Sequence, residues 1–426
     1  MPWLSTNPTW EAFGQRALLY TGYGGADFGE CHATLQAVGD AGGPDDWHRE
    51  WTATAARVAD AARESAERGH ATSAHEAFLR ASSYHRVAYF PLFGEPVDPR
   101  LKASFEHDTR CFRRAAELAP YPIEPIEIAW DGGSMPGYLA RPDDSDEQRP
   151  TVVQTNGYDA NVHEMFFSNA PAALRRGYNW IGFDGPGQGR NLIRDGQRLR
   201  PDWEHVVTPV IDHVLELPQV DPDRIVLVGW SMGGFLAPRA AAFEHRIAAL
   251  VADPGQWDQR DAIIPALPLP DDQKARFPNI DPSALDPMEQ WLRKEADPLL
   301  RWRLLQRGLW VHGCASLFEY FAAMLAYEIS PVAAKIACPT VVTMADDDPI
   351  ARGAPQLFDA LSGKKTLIRF RTREGAGGHC QSMARSLYHQ RTFDWLDDVL
   401  RCARTHTNTR RRVPRAVTHP HDQSRR

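Results

Sequence analysis

The chain is short of lysine, short of cysteine and free of long apolar runs. No stretch approaches the roughly 18 uninterrupted apolar residues that suggest a membrane-spanning helix, so no membrane partner is expected. The opening MPWLSTNPTWEAFG has no charged segment followed by an apolar core. No secretion signal is expected, and the cytoplasm is the expected compartment. The six cysteines (Cys31, Cys111, Cys314, Cys338, Cys380 and Cys402) include no CxxC pair. Zinc sites and disulfide frameworks both show tighter spacing, so reduced thiols are expected, with no metal and no cofactor. His312, His419 and His421 do not have metal-ligand spacing either. Six lysines stand against 42 arginines, a bias of GC-rich coding sequences. Basic charge is scarce except at the end of the chain. Residues 404–426 carry seven Arg and one Asp, a net +6, which leaves −13 for the rest of a chain whose total is −7. Nucleic-acid binding needs a basic face, so no nucleic acid is expected and a small molecule is the expected partner.

What is present is a chain of 426 residues with 43% apolar and 24% charged residues, enough to fold around buried cores as two or three domains. Residues 1–122 read as a helical cap domain. Trp47, Trp51, Ala55, Val58 and Ala62 recur at helical spacing, as do Ala74, Phe78, Ala81, Tyr84 and Ala88, then Phe105, Phe112, Ala115 and Leu118. Asp45 and Asp98-Pro99 resemble helix starts.

From residue 123 the period changes. A hairpin is expected around Asp131-Gly132-Gly133. Short apolar runs then alternate with helical stretches at 151–155, 179–183, 224–228, 248–251, 340–343 and 366–370. A helix is expected over 203–217, with Trp203, Val207, Val210, Ile211 and Val214 on one face. This alternation predicts an α/β fold, a mostly parallel sheet covered by helices on both faces. The sheet is expected in two parts, 123–255 and 332–403, separated by a helical insertion or lid at 256–331. The basic segment 404–426 lacks periodicity and is expected to be a disordered tail.

The sharpest motif is Gly229-Trp230-Ser231-Met232-Gly233-Gly234. It follows an apolar strand directly and precedes a plausible helix, the setting of a G-x-S-x-G nucleophile elbow. A serine hydroxyl needs a general base, and in this arrangement an acid and then a histidine should follow the serine. The acid falls in Asp346-Asp347-Asp348 after the strand at 340–343. Asp348 is chosen because it lies just before Pro-Ile, past the strand end, with Asp347 as the alternative. The histidine is His379, in the glycine-rich loop after the last strand, with a helix expected over 381–400.

An oxyanion needs backbone N–H donors. The candidates are Met232, next to the nucleophile, and Tyr158, in the loop Asn156-Gly157-Tyr158-Asp159. A second loop, Asp184-Gly-Pro-Gly-Gln-Gly189, lacks the spacing of a phosphate-binding loop and is expected to turn tightly beside the site. Trp47, Trp51 and Tyr84 read first as core packing. Tyr84, Asp159 and Gly157 are nevertheless the candidate substrate-binding residues.

These motifs resemble one α/β-hydrolase group, the FrsA-like proteins with a helical domain before the sheet. The group includes the pseudooxynicotine hydrolases of nicotine breakdown and polyketide-shortening hydrolases of fungal pigment pathways. The resemblance rests on Leu79–Tyr84, Phe183–Gly189, Asp202-Trp203-Glu204, Gly229–Gly234 and Gly378-His379-Cys380, and spans roughly residues 40–400. It implies a Ser231–Asp348–His379 triad under a helical roof, homodimers, and C–C cleavage of β-diketone-like substrates. It also implies that Asp159 faces the substrate. The basic tail has no counterpart in the group, and the insertion is longer than the group's. The expected activity is therefore serine-triad hydrolysis of a small ketone or acyl metabolite, with C–C cleavage of a β-diketone or polyketide foremost. An esterase, lactonase, acyl transferase or cyclase would use the same triad. A non-catalytic binding protein on this scaffold is the alternative of another class.

Overall fold

The structure, a computed structural model, describes residues 4–410. Five helices come first: α1 (Pro8–Leu18), α2 (Phe28–Val38), α3 (Pro44–Glu67), α4 (Ala71–Ala88) and α5 (Pro99–Glu117). The three periodic runs lie on α3, α4 and α5. Asp98 caps α5 by accepting from the Arg100 amide, whereas Asp45 lies inside the first turn of α3, behind Gly43. Trp47 and Trp51 are fully buried, and the Trp47 indole donates to the Val87 carbonyl at 3.0 Å, tying α3 to α4. Trp47 also stacks on Trp10 of α1 with ring centroids 4.8 Å apart.

Eight strands follow: β1 (Ile123–Trp130), β2 (Gly133–Ala140), β3 (Arg149–Thr155), β4 (Asn179–Phe183), β5 (Val220–Trp230), β6 (Ala249–Asp253), β7 (Thr340–Ala345) and β8 (Lys365–Phe370). They form one sheet in the order β1-β2-β4-β3-β5-β6-β7-β8. β1, β2 and β4 pair antiparallel, and β4 through β8 pair in parallel. Every residue of β4 and β6 is buried. Strands covered on both faces are buried in this way, and this explains why these segments are mostly apolar. One covering helix, Glu204–Glu216, buries Val207, Val210, Ile211 and Val214 against the sheet, with Trp203 buried at its cap.

Between β6 and β7 the chain builds several short helices and a seven-residue π-helix, Trp302–Gly308. Trp302 anchors this insertion to the helical domain. Its indole donates to the Phe90 carbonyl at 2.7 Å, and its ring packs edge-on against Phe13 of α1 at 5.0 Å. The helix expected over 381–400 starts only at Arg385. Cys380 and Gln381 take left-handed φ values of 49° and 48°, which a continuing helix excludes. That last helix is assigned to Arg410, past the boundary expected at 403, and the remaining basic segment, 411–426, lies outside the described residues. Among the described residues no helix is long and apolar enough to cross a membrane.

Trp47 fills the centre of the helical domain, so Trp47→Ala should lower stability by about 3–5 kcal/mol. Urea denaturation followed by circular dichroism should show an earlier transition in the helical signal.

Candidate active site

β5 ends at Trp230, and the chain turns at once into the helix Gly233–Ala241. The turn is tight enough that Ser231 takes φ 57°, a strained value for a residue with a side chain. Two close approaches explain the flanking glycines. A Cβ at Gly229 would run into the Gly233 carbonyl, and one at Gly234 into the Pro254 carbonyl. The Ser231 amide donates to the Asp253 carbonyl at the end of β6 (2.6 Å), which locks the turn to the neighbouring strand.

The hydroxyl of Ser231 lies 2.8 Å from His379 Nε2. On the far side of the ring, His379 Nδ1 lies 2.8 Å from Asp348 Oδ2. The Asp348 carboxylate is wholly buried and also accepts from the Ile350 amide at 3.0 Å. A carboxylate at Nδ1 holds the proton there, which leaves Nε2 free to accept from the serine. The other two aspartates face elsewhere: Asp346 pairs with Arg371 at 3.2 Å, and Asp347 accepts from the Thr372 hydroxyl at 2.7 Å. The left-handed Cys380 places its thiol 3.5 Å from His379 Nε2, and burial raises that thiol well above its usual range.

The loop after β3 passes over Ser231. A Cβ at Gly157 would sit 3.1 Å from the Ser231 Cβ, a tight fit that glycine avoids. The glycine-rich loop after β4 holds this passage in place. The Gln188 side chain donates to the carbonyls of Asn156 (3.0 Å) and Gly157 (3.1 Å), and accepts from the Gly185 amide (3.1 Å). Asn156 in turn donates to Asp184 at 2.9 Å; burial pushes the Asp184 carboxyl up to about 6. Met232 caps the helix that follows the nucleophile, whose N-terminus is the positive end of its dipole. The Tyr158 ring packs against Arg307 and His312.

A cleft of about 470 Å³ opens at Ser231 and His379. α1 and the π-helix roof it, with Arg16, Tyr20, Trp302, Arg303 and Arg307 in its lining. Asp159 reaches this cleft, but two guanidinium groups hold its carboxylate: Arg16 at 2.8 Å and Arg307 at 3.0 Å. Glu164, on α6 (Val162–Leu174), takes Arg16 at 2.7 Å and Arg86 of α4 at 2.9 Å. Burial works to raise both carboxyls, but the arginines outweigh it and hold both below the ordinary range.

Tyr84 is the correction among the candidate residues. It does not reach the cleft: its ring is buried beside Trp51, and its hydroxyl donates to Glu30 at 2.6 Å. Its place on the buried face of α4 turns it into the helical domain instead. The arginines are what sequence reasoning missed. Arg16, Arg86 and Arg307 are widely separated in the chain and form no motif. Arg385 was missed for the same reason. It pairs with Asp253 at 3.3 Å, donates to the Cys380 carbonyl at 2.9 Å and lies over the Trp230 ring, which binds the histidine loop to the elbow. Among the described residues, no group of three or more His, Cys, Asp or Glu is arranged to hold a metal ion.

A nucleophile elbow at the end of a mostly parallel eight-stranded sheet, roofed by helices, defines an α/β-hydrolase class of protein. The sequence matches the model of the Alpha/beta hydrolase family over residues 155–392 and that of the Esterase FrsA-like family over residues 34–256. The chain belongs to the α/β-hydrolase family, in its FrsA-like branch, and is a hydrolase. It is 34% identical to Hydrolase acrC of Aspergillus aculeatus over 90% of this chain and 94% of that one. It is 31% identical to the 20-hydroxy-prefusarin hydrolase FUS2 of Gibberella moniliformis, over 88% and 92% of the two chains. Among solved structures, the 2,6-dihydroxy-pseudo-oxynicotine hydrolase shares the fold, with a TM-score of 0.69 at 22% identity over 91% of this chain and 95% of that one.

Glu164 carries the roof's buried charge balance, so Glu164→Gln should cost about 3–5 kcal/mol by stranding Arg86. Its depressed carboxyl, like that of Asp159, stabilises the fold at pH above the unfolded value of about 4 and loses that contribution as the pH falls. Urea midpoints at pH 7 and pH 4 should therefore converge more closely in the variant than in the parent protein.

Proposed function

We propose that Ser231, His379 and Asp348 act as the catalytic triad of a hydrolase that cleaves a small ketone or acyl metabolite, foremost a C–C bond in a β-diketone or polyketide-type substrate. The observation that carries this reading is the unbroken contact from Ser231 Oγ through His379 to the buried Asp348, 2.8 Å at each step, at the floor of the roofed cleft. A relative named for hydrolysis of 20-hydroxy-prefusarin supports a metabolite-sized substrate. The helical roof also disfavours long peptides.

In this mechanism His379 Nε2 takes the serine proton as Oγ attacks the carbonyl carbon, and Asp348 stabilises the imidazolium. The amides of Met232 and Tyr158 hold the oxyanion, each worth about 2.7–4 kcal/mol of barrier. When the oxyanion collapses, the C–C bond breaks and its electron pair leaves on carbon as an enolate. The imidazolium protonates that carbon, and the ketone departs. Water, deprotonated by His379, then attacks the acyl-serine. This releases a carboxylic acid and restores the hydroxyl. With an alkoxide as the leaving group, the same steps cleave an ester.

Turnover of a 1,3-diketone and of a p-nitrophenyl ester by purified protein tests the reading. Ser231→Ala should lower kcat by about 10⁴–10⁶-fold, and full turnover by that variant would sink the proposal. Asp348→Asn should lower it by about 10⁴-fold, whereas Asp347→Asn should leave it within a few-fold. A clear preference for the ester would move the reading from C–C hydrolase to esterase.

A further inference from the structure

Three arginines, Arg16, Arg303 and Arg307, line the cleft beside two carboxylates, Asp159 and Asp348, and Asp348 faces His379. Arg16, Arg86 and Arg307 share two anions, Asp159 and Glu164. Arg86 also donates to the Asp159 carbonyl, so its charge is turned into the wall. Arg303 is the third of the arginines that line the cleft, and among the described residues its side chain has no ion pair and no hydrogen bond, although Asp159 and Asp297 attract it from a distance. It keeps contact with solvent while lining the cleft. Partial burial and then the neighbouring Arg307 push its pKa below the ordinary guanidinium value. Arg307 repels it, whereas Asp159 and Asp297 attract it.

The backbone there is unusual as well. Residues 302–308 form a π-helix, a rare geometry that occurs frequently at functional sites. Its wider turn brings Trp302, Arg303 and Arg307 together onto the cleft wall that shares its cavity with Ser231. Arg307 is already occupied by Asp159 and lies over the Trp302 and Tyr158 rings. Arg303 therefore has a free planar fork of donors, the shape that matches a carboxylate in two parallel hydrogen bonds.

We propose that the substrate carries a carboxylate and that Arg303 binds it, orienting the scissile carbonyl over Ser231. This rests on the triad reading for the carbonyl, but the anion site itself does not depend on it. Arg303 is then a specificity-determining residue. Its partner is a carboxylate-bearing acyl or ketone compound small enough for a cleft of about 470 Å³.

Two probes of similar length test it: mono-4-nitrophenyl glutarate, which ends in a carboxylate, and 4-nitrophenyl butyrate, which is neutral. Full-length protein should show a higher kcat/KM for the glutarate hemiester. Arg303→Gln should reduce the anionic-to-neutral ratio at least tenfold, mainly through KM, and Arg303→Lys should restore part of it. The ratio is internal to each variant, so partial misfolding does not mimic the effect. A ratio unaltered by Arg303→Gln would overturn the proposal. Calorimetric titration of the hemiester into Ser231→Ala protein reads the anion site without turnover. Binding at least tenfold tighter than to the Ser231→Ala, Arg303→Gln double variant is expected. Equal affinity, or none, overturns the proposal even when Ser231 is proved to be the nucleophile. Tighter binding without turnover of either ester or of a 1,3-diketone would keep the anion site and reject the triad reading.

Discussion

The buried ion cluster around Asp159 and Glu164 holds the cleft together. Its carboxylates come from the loop after β3 and from α6, and its cations from α1, α4 and the insertion. Each group is costly to bury alone and tolerable only with its partners in place. Moving α1 or the π-helix away would strand carboxylates in a poorly solvated interior. Sheet, helical domain and insertion are thus bound at one point, beside the nucleophile. The Tyr20 hydroxyl adds a donor to Glu164 at 2.7 Å, and Trp302 supplies the apolar half of the same junction. The roof is held by charge at its centre and by aromatic packing at its rim.

Beneath that roof the site is built on the ends of buried parallel strands. The strain at Ser231 persists because the strands on either side fix the turn, with the Asp253 carbonyl on one side and the Gly157 passage on the other. Gln188 and Arg385 do parallel work at two loops that the sheet alone would not define. Gln188 holds the loop over the nucleophile, and Arg385 holds the histidine loop. Both reach backbone carbonyls, and Arg385 also pairs with the buried Asp253. A serine, a histidine and an aspartate from three strand ends meet at hydrogen-bond distance because these loops have little freedom.

Much of this was legible along the chain. The parallel strands were readable because burial on both faces makes them apolar without interruption, as in the Ile225–Val228 run of β5. The candidate triad was readable because an elbow needs its glycines in sequence next to the serine, and the strand order puts the acid and the histidine after it. Asp348 was separable from Asp346 and Asp347 by its place before Pro349. What was not legible were contacts between distant segments. Tyr84 lay on an apolar helical face, and periodicity cannot say which neighbour that face meets; it met Trp51 and Glu30 rather than the cleft. Asp159 was legible as a residue of the loop over the site, but not as the partner of two arginines. The start of the last helix was misplaced because positive φ at Cys380 and Gln381 leaves no mark in residue type.

The sequence by itself determined the α/β class, the helical segment before the sheet and the identity of the three residues at the site. Those features are local: a period, a turn that tolerates only glycine, an order of strand ends. The tertiary structure alone decided the shape and charge of the cleft, because those come from side chains hundreds of positions apart in the chain, such as Phe13 and Trp302, that meet only after it has folded. Coulomb attraction and burial act through space, and neither leaves a periodic trace in the order of residues.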